Sequence, residues 1–171
     1  LLKTYTEDEI LKVLVNQYKH NRRQLLKEFQ PIKHLNIWEF TAMASIIQGE
    51  AVYIDEMPII SSVYHNRLEK NMLLQADPTI QYIIPGKHRR LYNKDLDIDS
   101  PYNTYKYKGL PPGPINNPGL EALKAAIMPA ETDYMYFVSN GEGRHIFTRN
   151  NEEHNKAKLE LKRKRRSKRK M

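Results

Sequence analysis

Apolar residues recur at helical spacing in the first third of the chain. Thr6 followed by Glu9 matches a capping box, and apolar positions then repeat every three or four residues. This pattern predicts a helix from about residue 6 to about residue 29, which Pro31 helps to end because its ring cannot continue a helix. The apolar positions of this first helix include Ile10, Leu11, Val13, Leu14 and Tyr18.

The same spacing predicts two further helices. Asn36 is a suitable N-cap for the second helix, and Glu39 then falls in its first turn. Pro58 suits the first turn of the third helix, because its missing N–H is not needed there. The apolar stripe of the second helix consists of Ile37, Phe40, Ala44, Ile47 and Ala51.

The helical periodicity disappears between about residues 72 and 119, where Pro, Gly, Tyr, Asn and Asp are frequent. A stretch this long without regular structure is usually functional or disordered in a compact domain. Its tyrosines and apolar residues argue against disorder. We therefore expect ordered loops and short strands that line a site, followed by a helix that opens at Pro118.

The last part of the chain predicts a hairpin and a helix. Residues 134–138 form a strand candidate, Asn140-Gly141 is a strong turn signal, and residues 144–148 would be the return strand. A final helix is predicted from near Asn151 into the C-terminal segment. Helices packed around one short antiparallel hairpin, with long ordered loops, make α+β the expected fold class.

The positive charge is concentrated at the C-terminal end. The segment from Lys162 to Lys170 contains eight basic residues and no acidic one. Without those eight, the 28 Lys and Arg residues fall to 20, which equals the 20 Asp and Glu residues. The formal charge of +8 therefore belongs to a tail. The rest of the chain is neutral and has no recognised RNA- or DNA-binding motif, so nucleic acid is not an expected partner.

Composition excludes several other classes of site. The absence of cysteine removes disulfides, thiol nucleophiles and thiolate metal sites. The six histidines lack metal-ligand spacing, and no phosphate-binding or dinucleotide fingerprint is present, so we expect neither metal nor cofactor. No apolar stretch reaches the roughly 18 residues of a membrane span. Because the chain begins at Leu1 without a signal peptide, we interpret it as part of a longer protein.

Glu50 is the first candidate for chemistry. It follows Ile47 by three residues on the second helix, which places it at the edge of the buried stripe. Partial burial raises the pKa of a carboxylic acid, and a raised pKa suits a general acid near neutral pH. Gly49 beside it would leave room for a ligand. The alternative interpretation is a boundary glutamate in a structural ion pair.

Two loop segments offer side chains for a saccharide groove. Leu74 to Thr79 carries amide, carboxylate and hydroxyl groups, although an ordinary Asp-Pro turn is the alternative. Ser100 to Tyr105 adds tyrosines, whose apolar faces suit sugar rings, and precedes a proline-rich run that is alternatively a rigid connection. The candidate substrate-binding residues are Gln75, Asp77, Thr79, Tyr102, Asn103, Thr104 and Tyr105.

Three further residues are candidates outside these two segments. His145, on the predicted return strand, is a candidate substrate contact, although a lone histidine is more often structural. The segment from Tyr64 to Arg67, on the third helix, is polar enough to support Glu50 from behind, with Asn66 and Arg67 as the candidates within it.

These motifs together resemble the YceG-like (MltG) family of endolytic lytic transglycosylases, and they occur in the family's order and spacing. The resemblance covers about residues 42–158. The matching segments are ASIIQGEA (44–51), YHNRLEKNMLLQADPTIQY (64–82), SPYNTY (100–105), GLPPGPINNPG (109–119), YMYFV (134–138) and GRHIF (143–147).

The resemblance implies a catalytic role for Glu50, which ends a motif of the Ser-Ile-Val-Glu-Lys-Glu type. Gln48 and Gly49 replace the earlier Glu and the Lys of that motif, and Ala76 replaces a Thr, so a second nearby carboxylate is absent from this helix. The implied reaction cleaves the MurNAc–GlcNAc bond of peptidoglycan strands and leaves 1,6-anhydroMurNAc ends, with one glutamate acting as acid and then as base. The alternatives are a two-carboxylate muramidase that uses Glu50 with Asp77, and a peptidoglycan-binding or scaffold domain without catalysis.

The resemblance also implies an arrangement in the whole protein. Residues 1–36 would be a helical linker from an upstream LysM-like module, residues 37–160 the catalytic domain, and residues 161–171 a disordered basic tail. An N-terminal transmembrane helix outside this chain would anchor the protein on the extracytoplasmic face of the bacterial cytoplasmic membrane. Expected partners are peptidoglycan strands and cell-wall synthases. The basic tail is either simply solvated or binds anionic wall polymers or lipid headgroups.

Overall fold

The computed structural model describes residues 4–29 and 35–168, and within them it has the α+β architecture that the sequence predicts. Seven α-helices surround one two-stranded antiparallel sheet in these residues. None of the helices described is long and apolar enough to cross a bilayer. The elements are α1 (Glu7–Glu28), α2 (Ile37–Glu50), a short 3-10 helix (Ile54–Glu56), α3 (Met57–Glu69), α4 (Asp77–Ile83), α5 (Asn93–Leu96), α6 (Leu120–Ile127), β1 (Tyr136–Ser139), β2 (His145–Thr148) and α7 (Asn151–Lys168).

The predicted N-terminal caps of α1 and α2 are confirmed. Thr6 and Glu9 form a reciprocal capping box at the start of α1. Asn36 and Glu39 form another at the start of α2. Each box satisfies backbone N–H groups that a helix start leaves unpaired. Pro31 and the rest of residues 30–34 lie outside the described residues, as do residues 1–3 of the predicted linker.

Helix α2 is the centre of the core rather than an amphipathic helix with one buried stripe. The helix is buried continuously from Phe40 to Ile47. It packs against α6, α3 and α4, and each of these helices covers part of its surface. The prediction of a stripe is wrong at its start, because Ile37 is 37% exposed. A helix that is apolar all round is buried all round, and this burial fixes the position of Glu50 at its end.

The segment from 72 to 119 is ordered, as predicted, but the described residues contain no strands in it. Two short helices, α4 and α5, take their place. Asn103 explains part of this order, because its Nδ2 donates to the carbonyls of Leu96 and Ile98 at 2.9 and 2.7 Å. Its Oδ1 accepts the N–H of Tyr105 at 2.9 Å. A buried amide therefore satisfies backbone groups that a neighbouring strand would otherwise satisfy.

The hairpin forms between the predicted segments with a shifted boundary and a longer turn. Strand β1 begins at Tyr136 rather than at 134, and Ser139 pairs with His145. Asn140 Oδ1 accepts the N–H groups of Glu142 and Arg144 at 2.8 and 3.2 Å. This side chain closes a loop that is wider than the two-residue turn expected from Asn140-Gly141.

The basic segment continues helix α7 to Lys168, which contradicts the prediction of a disordered tail for residues 161–168. Lysine, arginine and leucine are good helix formers, and the segment contains no Pro or Gly to end the helix. Ala157 and Leu161 anchor the helix by their burial. Residues 169–171 of the predicted tail lie outside the described residues.

Candidate active site

Glu50 is the last residue of α2, and its carboxyl group is partly buried between α3 and the start of α4. The hydroxyl of Tyr64 donates a hydrogen bond to Glu50 Oε1 at 2.8 Å. The pKa of Glu50 is raised from 4.5 to about 7, chiefly by burial and to a smaller extent by the charge of Asp77. The Tyr64 hydrogen bond, the charge of Arg67 and the Asp77 N–H act in the opposite direction. Glu50 is therefore present in both protonation states near neutral pH.

Tyr64 holds the Glu50 carboxyl from α3. Its side chain is almost fully buried, at 1% exposure, and its ring meets Phe137 edge-on with centroids 5.8 Å apart. Burial and the neighbouring Glu50 raise the pKa of the Tyr64 hydroxyl well above its ordinary value. The hydroxyl therefore stays protonated and remains a donor to Glu50.

Arg67 is a buried cation one turn further along α3. Its Nε donates to the carbonyl of Met135 at 2.7 Å, and its Nη1 donates to the carbonyls of Leu73 and Leu74 at 3.3 and 2.7 Å. Burial lowers its pKa, while the neighbouring acidic groups oppose that change. Arg67 thus ties α3 to the loop before α4 and to the segment before β1, and it supplies a positive field at Glu50.

Asp77 and Tyr105 form the opposite wall of the site. Asp77 is the first residue of α4, and its exposed carboxylate accepts a hydrogen bond from the hydroxyl of Tyr105. Burial, followed by the effect of Asp77, raises the pKa of Tyr105. Gln75 has a left-handed backbone with φ of 49°, which is uncommon for this residue type, and its side chain is exposed. The predicted groove residues Asp77 and Tyr105 therefore lie beside Glu50, and the Gln75 N–H donates to the carbonyl of Thr104 at 3.0 Å, next to Tyr105 in the chain.

Three of the predicted substrate-binding residues lie in the interior and support the groove instead of lining it. Thr79 and Asn103 are 0% exposed and Thr104 is 2% exposed. Thr104 Oγ1 bonds to Thr79 Oγ1 at 2.9 Å and accepts the N–H of Ala76 at 3.0 Å. These polar groups already have internal partners, so they hold the Asp77 loop against the Tyr105 loop. Tyr102 is half-buried and stacks at a tilt on Tyr82, with centroids 4.9 Å apart.

His145 and Asn66 also have structural partners. His145 Nδ1 lies 2.9 Å from Oε2 of the buried Glu56, whose Oε1 accepts the His145 N–H at 3.0 Å. This pair joins β2 to the start of α3. Asn66 donates to the carbonyls of Thr132 and Tyr134 at 2.8 and 2.9 Å, so it braces the segment before β1 rather than Glu50 itself.

Gly49 serves close packing and does not leave space for a ligand, contrary to the expectation from the sequence. A Cβ at this position would lie 2.7 Å from Pro78 Cβ and 3.0 Å from Pro78 Cγ. The proline at the start of α4 therefore fits against the backbone of α2. This contact brings the Asp77 N–H to the Glu50 carboxylate.

We expect Gly49→Ala to push α4 away from α2 and to lower the pKa of Glu50 toward 4.5. The burial of Glu50 and the field of Asp77 both decrease when the helices separate, and together they outweigh the loss of the Asp77 N–H bond, a smaller effect that lowers the pKa in the native protein. The overlap also costs about 1–3 kcal/mol of unfolding free energy, partly offset by the better helix propensity of alanine. A carbon-13 NMR titration of Glu50 with a urea melt measures both effects. An unchanged Glu50 pKa would contradict this role for the Gly49–Pro78 contact.

The polar segment from Tyr64 to Arg67 indicated support for Glu50 but did not identify Tyr64 as its hydrogen-bond donor, and no motif indicated the Glu56–His145 pair. Tyr64 occupies an apolar position of α3, and nothing in its spacing distinguishes it from a core tyrosine. The available signal was chemical, because a buried tyrosine hydroxyl usually has a partner.

The chain is similar in sequence to the YceG-like family and to proteins named endolytic murein transglycosylase. The model of the YceG-like family matches residues 1–160. A protein of Bacillus subtilis strain 168, named endolytic murein transglycosylase, is 43% identical over 152 residues, which are 88% of this chain and 42% of that protein. A protein of the same name from Streptococcus pneumoniae serotype 2 strain D39 is 35% identical over 130 residues, 72% of this chain and 24% of that protein.

The fold also matches a solved structure. The crystal structure of a yceG-like protein from Listeria monocytogenes superposes with a TM-score of 0.69 at 43% sequence identity. The match covers 83% of this chain and 44% of that one. The chain thus spans less than half the length of these relatives.

Proposed function

Because this chain belongs to the YceG-like family, we propose that it carries the catalytic site of an endolytic lytic transglycosylase, which cuts peptidoglycan glycan strands with Glu50 as acid and then base. The homologues named endolytic murein transglycosylase support the reaction class. The proposed bond is the glycosidic bond between MurNAc and the following GlcNAc.

The observation that carries this proposal is the state of Glu50. Its pKa of about 7 lets one carboxyl group donate a proton and later accept one at the same pH. Tyr64 and Arg67 favour the carboxylate form, while burial favours the acid form, so neither form is strongly disfavoured. A group balanced in this way suits a reaction that uses it twice.

In the proposed first step, protonated Glu50 donates its proton to the glycosidic oxygen. The bond from that oxygen to the MurNAc anomeric carbon breaks, and positive charge develops on the sugar ring. The Glu50 carboxylate that forms is stabilised by the Tyr64 hydroxyl and by the field of Arg67.

In the second step, the Glu50 carboxylate takes the proton of the MurNAc C6 hydroxyl. The O6 atom bonds to the anomeric carbon and closes the 1,6-anhydro ring. Glu50 is protonated again, so the cycle needs no water and no second carboxylate. The nucleophile belongs to the substrate, which distinguishes this route from a glycosidase with two carboxylates.

A two-carboxylate muramidase is the second candidate, because Asp77 is close enough for its charge to raise the pKa of Glu50. In that reaction Asp77 would activate water or attack the sugar. The hydrogen bond from Tyr105 to Asp77 favours a positioning role instead, since it occupies one carboxylate oxygen. We therefore propose that Asp77, Gln75, Tyr105 and Tyr102 line the groove, while Thr79, Asn103, Thr104, His145 and Asn66 hold its walls in place.

Mass spectrometry of digested peptidoglycan strands tests the reaction directly. We expect products ending in 1,6-anhydroMurNAc, lighter by one water than hydrolysis products. Reducing MurNAc ends would instead identify a hydrolase and give Asp77 a catalytic role. Strands that stay uncut, under conditions in which the folded protein binds them, would favour a binding or scaffold domain.

We expect Tyr64→Phe to raise the pKa of Glu50 further, because the lost hydrogen bond lowers it in the native protein. The alkaline limb of the kcat/KM profile, which follows deprotonation of Glu50, then moves to higher pH. The rate at the optimum falls by roughly tenfold, because the carboxylate formed in the first step loses a donor. Tyr107→Phe is the matched control, since the Tyr107 hydroxyl also donates to a carboxylate, that of exposed Asp99, at 2.6 Å. Identical profiles for the two variants would refute the role of Tyr64.

The setting in the whole protein is part of the proposal. Residues 37–160 form the catalytic domain, and residues 1–36 connect it to an upstream LysM-like module. The reaction takes place on the extracytoplasmic face of the cytoplasmic membrane, where nascent strands are made. Strand termination or release beside cell-wall synthases is the proposed role, and the basic end of α7 would meet anionic wall polymers or lipid headgroups.

A further inference from the structure

A cavity of about 510 Å³ lies between α1, the start of α2 and the proline-rich loop. Its size is in the range of small-molecule binding sites. Tyr18 and Arg22 line it from α1, Trp38 lines it from α2, and Asn116 and Asn117 line it from the loop. None of these residues belongs to the Glu50 site described above.

Arg22 lacks a partner in this cavity. Its Nε is buried and has no hydrogen-bond partner, and no ion pair among the described residues includes it. A second, smaller cavity of about 150 Å³ also borders this side chain. The half-buried Arg22 side chain makes no hydrogen bond or ion pair within the described residues, so the donors at its tip are available to a ligand group in the cavity. Carboxylates match its planar array of donors.

The other residues that line the cavity offer an aromatic ring and hydrogen-bond acceptors, which are the groups that bind sugars. Trp38 is 67% exposed and lines the cavity, and an indole ring can pack against a sugar. Thr41 donates its hydroxyl to the carbonyl of Ile37 at 2.7 Å, so Tyr18 must donate in its 2.6 Å bond to Thr41 and keeps an oxygen free to accept. Asn116 donates its Nδ2 to the carbonyl of Ser45 at 2.8 Å, and its Oδ1 accepts no hydrogen bond from the residues that the structure describes. These are acceptors for sugar hydroxyls.

Asn116 lines the cavity and also lies close to the residue beside Glu50. The Nδ2 atom of Asn116 lies 3.8 Å from the position of a Cβ on Gly49, the residue beside Glu50. Trp38 and Glu50 lie on the same helix, twelve residues apart, which is about 18 Å along its axis. An extended strand is long enough to contact both sites.

We propose that this cavity is a distal binding site for the same strand and takes a muramyl unit through its carboxylate. This inference rests on the proposed function for the identity of the strand. Arg22 pairs with the carboxylate, Trp38 packs against the sugar ring, and the two asparagines bind hydroxyl or amide groups. The carboxylate comes either from the lactyl group of a strand without peptides or from the stem peptide.

Trp38 is the only tryptophan of the chain, so its fluorescence reports on this cavity alone. The test uses the full chain carrying Glu50→Gln to prevent cleavage, with three probes: strands with stem peptides, strands stripped of peptides, and carboxylate-free chitooligosaccharides. We expect a carboxylate-bearing strand to change the Trp38 emission at concentrations at least tenfold lower than the chitooligosaccharide does. Equal binding of stripped and peptide-bearing strands assigns the lactyl carboxylate, and tighter binding of the peptide-bearing strand assigns the stem peptide.

Adding Arg22→Gln should lower the affinity for the carboxylate-bearing strand at least tenfold and leave the affinity for the chitooligosaccharide unchanged. Arg23→Gln is the matched control, because Arg23 is the exposed neighbour on the same helix and does not line the cavity. Asn117→Asp is a second variant that places a repelling charge in the cavity from an exposed position, and it should have the same selective effect. If chitooligosaccharide binds as tightly as the strands, or if neither variant is selective, the proposal is wrong.

The two proposals can fail separately. Formation of anhydro ends by the unmodified chain without any carboxylate-dependent Trp38 response would overturn the distal site alone. A selective Trp38 response without anhydro ends would uphold the distal site and overturn the proposed reaction.

Discussion

Replacing Glu50 with glutamine is expected to lower the rate of strand cleavage by about 10⁴-fold while the fold is retained. General acid–base groups contribute up to that factor, and in the proposed reaction one group performs both proton transfers. The amide keeps the shape of the side chain and accepts the Tyr64 hydrogen bond, but it cannot donate an acidic proton. Product analysis by mass spectrometry measures the loss, and circular dichroism monitors the fold. Cleavage within tenfold of the unmodified rate would refute Glu50 as the acid/base.

The same variant should be more stable than the natural chain at alkaline pH. The Glu50 carboxyl ionises near 7 in the folded state and near 4.5 when unfolded, so the folded state holds its proton more tightly. The contribution of Glu50 to stability is therefore present below pH 4.5 and is lost as the pH rises from 4.5 to 7. After allowance for solvent screening of the partly exposed group, Glu50→Gln should gain about 2 kcal/mol at pH 8 and close to nothing at pH 4. Urea melts at the two pH values measure this difference.

Arg67→Met is expected to reduce the free energy of unfolding by about 3–5 kcal/mol and the melting temperature by roughly 10 °C. Methionine fills much of the volume but leaves the carbonyls of Leu73, Leu74 and Met135 without their donor. Buried acceptors without partners carry a desolvation cost of about 1–3 kcal/mol each. The pKa of Glu50 should also rise, because the charge of Arg67 lowers it in the native protein.

Arg149→Met provides the control for the loss of an arginine. The Arg149 guanidinium pairs with Asp133 at 2.8 Å, and both side chains are more than half exposed. A surface ion pair of this kind contributes less than about 1 kcal/mol. Similar melting temperatures for the two variants would show that the carbonyl contacts of Arg67 are not important for stability.

The sequence allowed five of the seven described helices to be predicted, all except α4 and α5, and the starts of α1 and α2 were predictable because caps are local. Thr6 with Glu9 and Asn36 with Glu39 need only neighbouring backbone groups, so a short pattern determines them. The partial burial of Glu50 was predicted from its position three residues after Ile47, at the edge of the expected buried stripe, while its catalytic role stays a prediction. The segment from 72 to 119 could not be predicted in detail, because its order depends on contacts between residues distant in sequence.

The groove residues illustrate this limit on local patterns. Thr79 and Thr104 are 25 residues apart, and their hydroxyls bond only because two loops are folded together. Asp77 and Thr79 have similar polarity in the sequence, yet one is exposed and the other is fully buried. Polarity identifies side chains able to bind a sugar, and only the tertiary fold decides which of them already have internal partners.

The continuous burial of α2 from Phe40 to Ile47 affects how the candidate site responds to denaturation. Amide hydrogens of a central helix exchange with solvent mainly when the whole domain unfolds, because no local opening of lower free energy exposes them to water. Glu50 stands at the end of that helix, and Tyr64 and Arg67 stand on the next one packed against it. The environment of the acid therefore persists until cooperative unfolding. Gradual denaturation should then diminish the number of intact sites without altering the properties of each one.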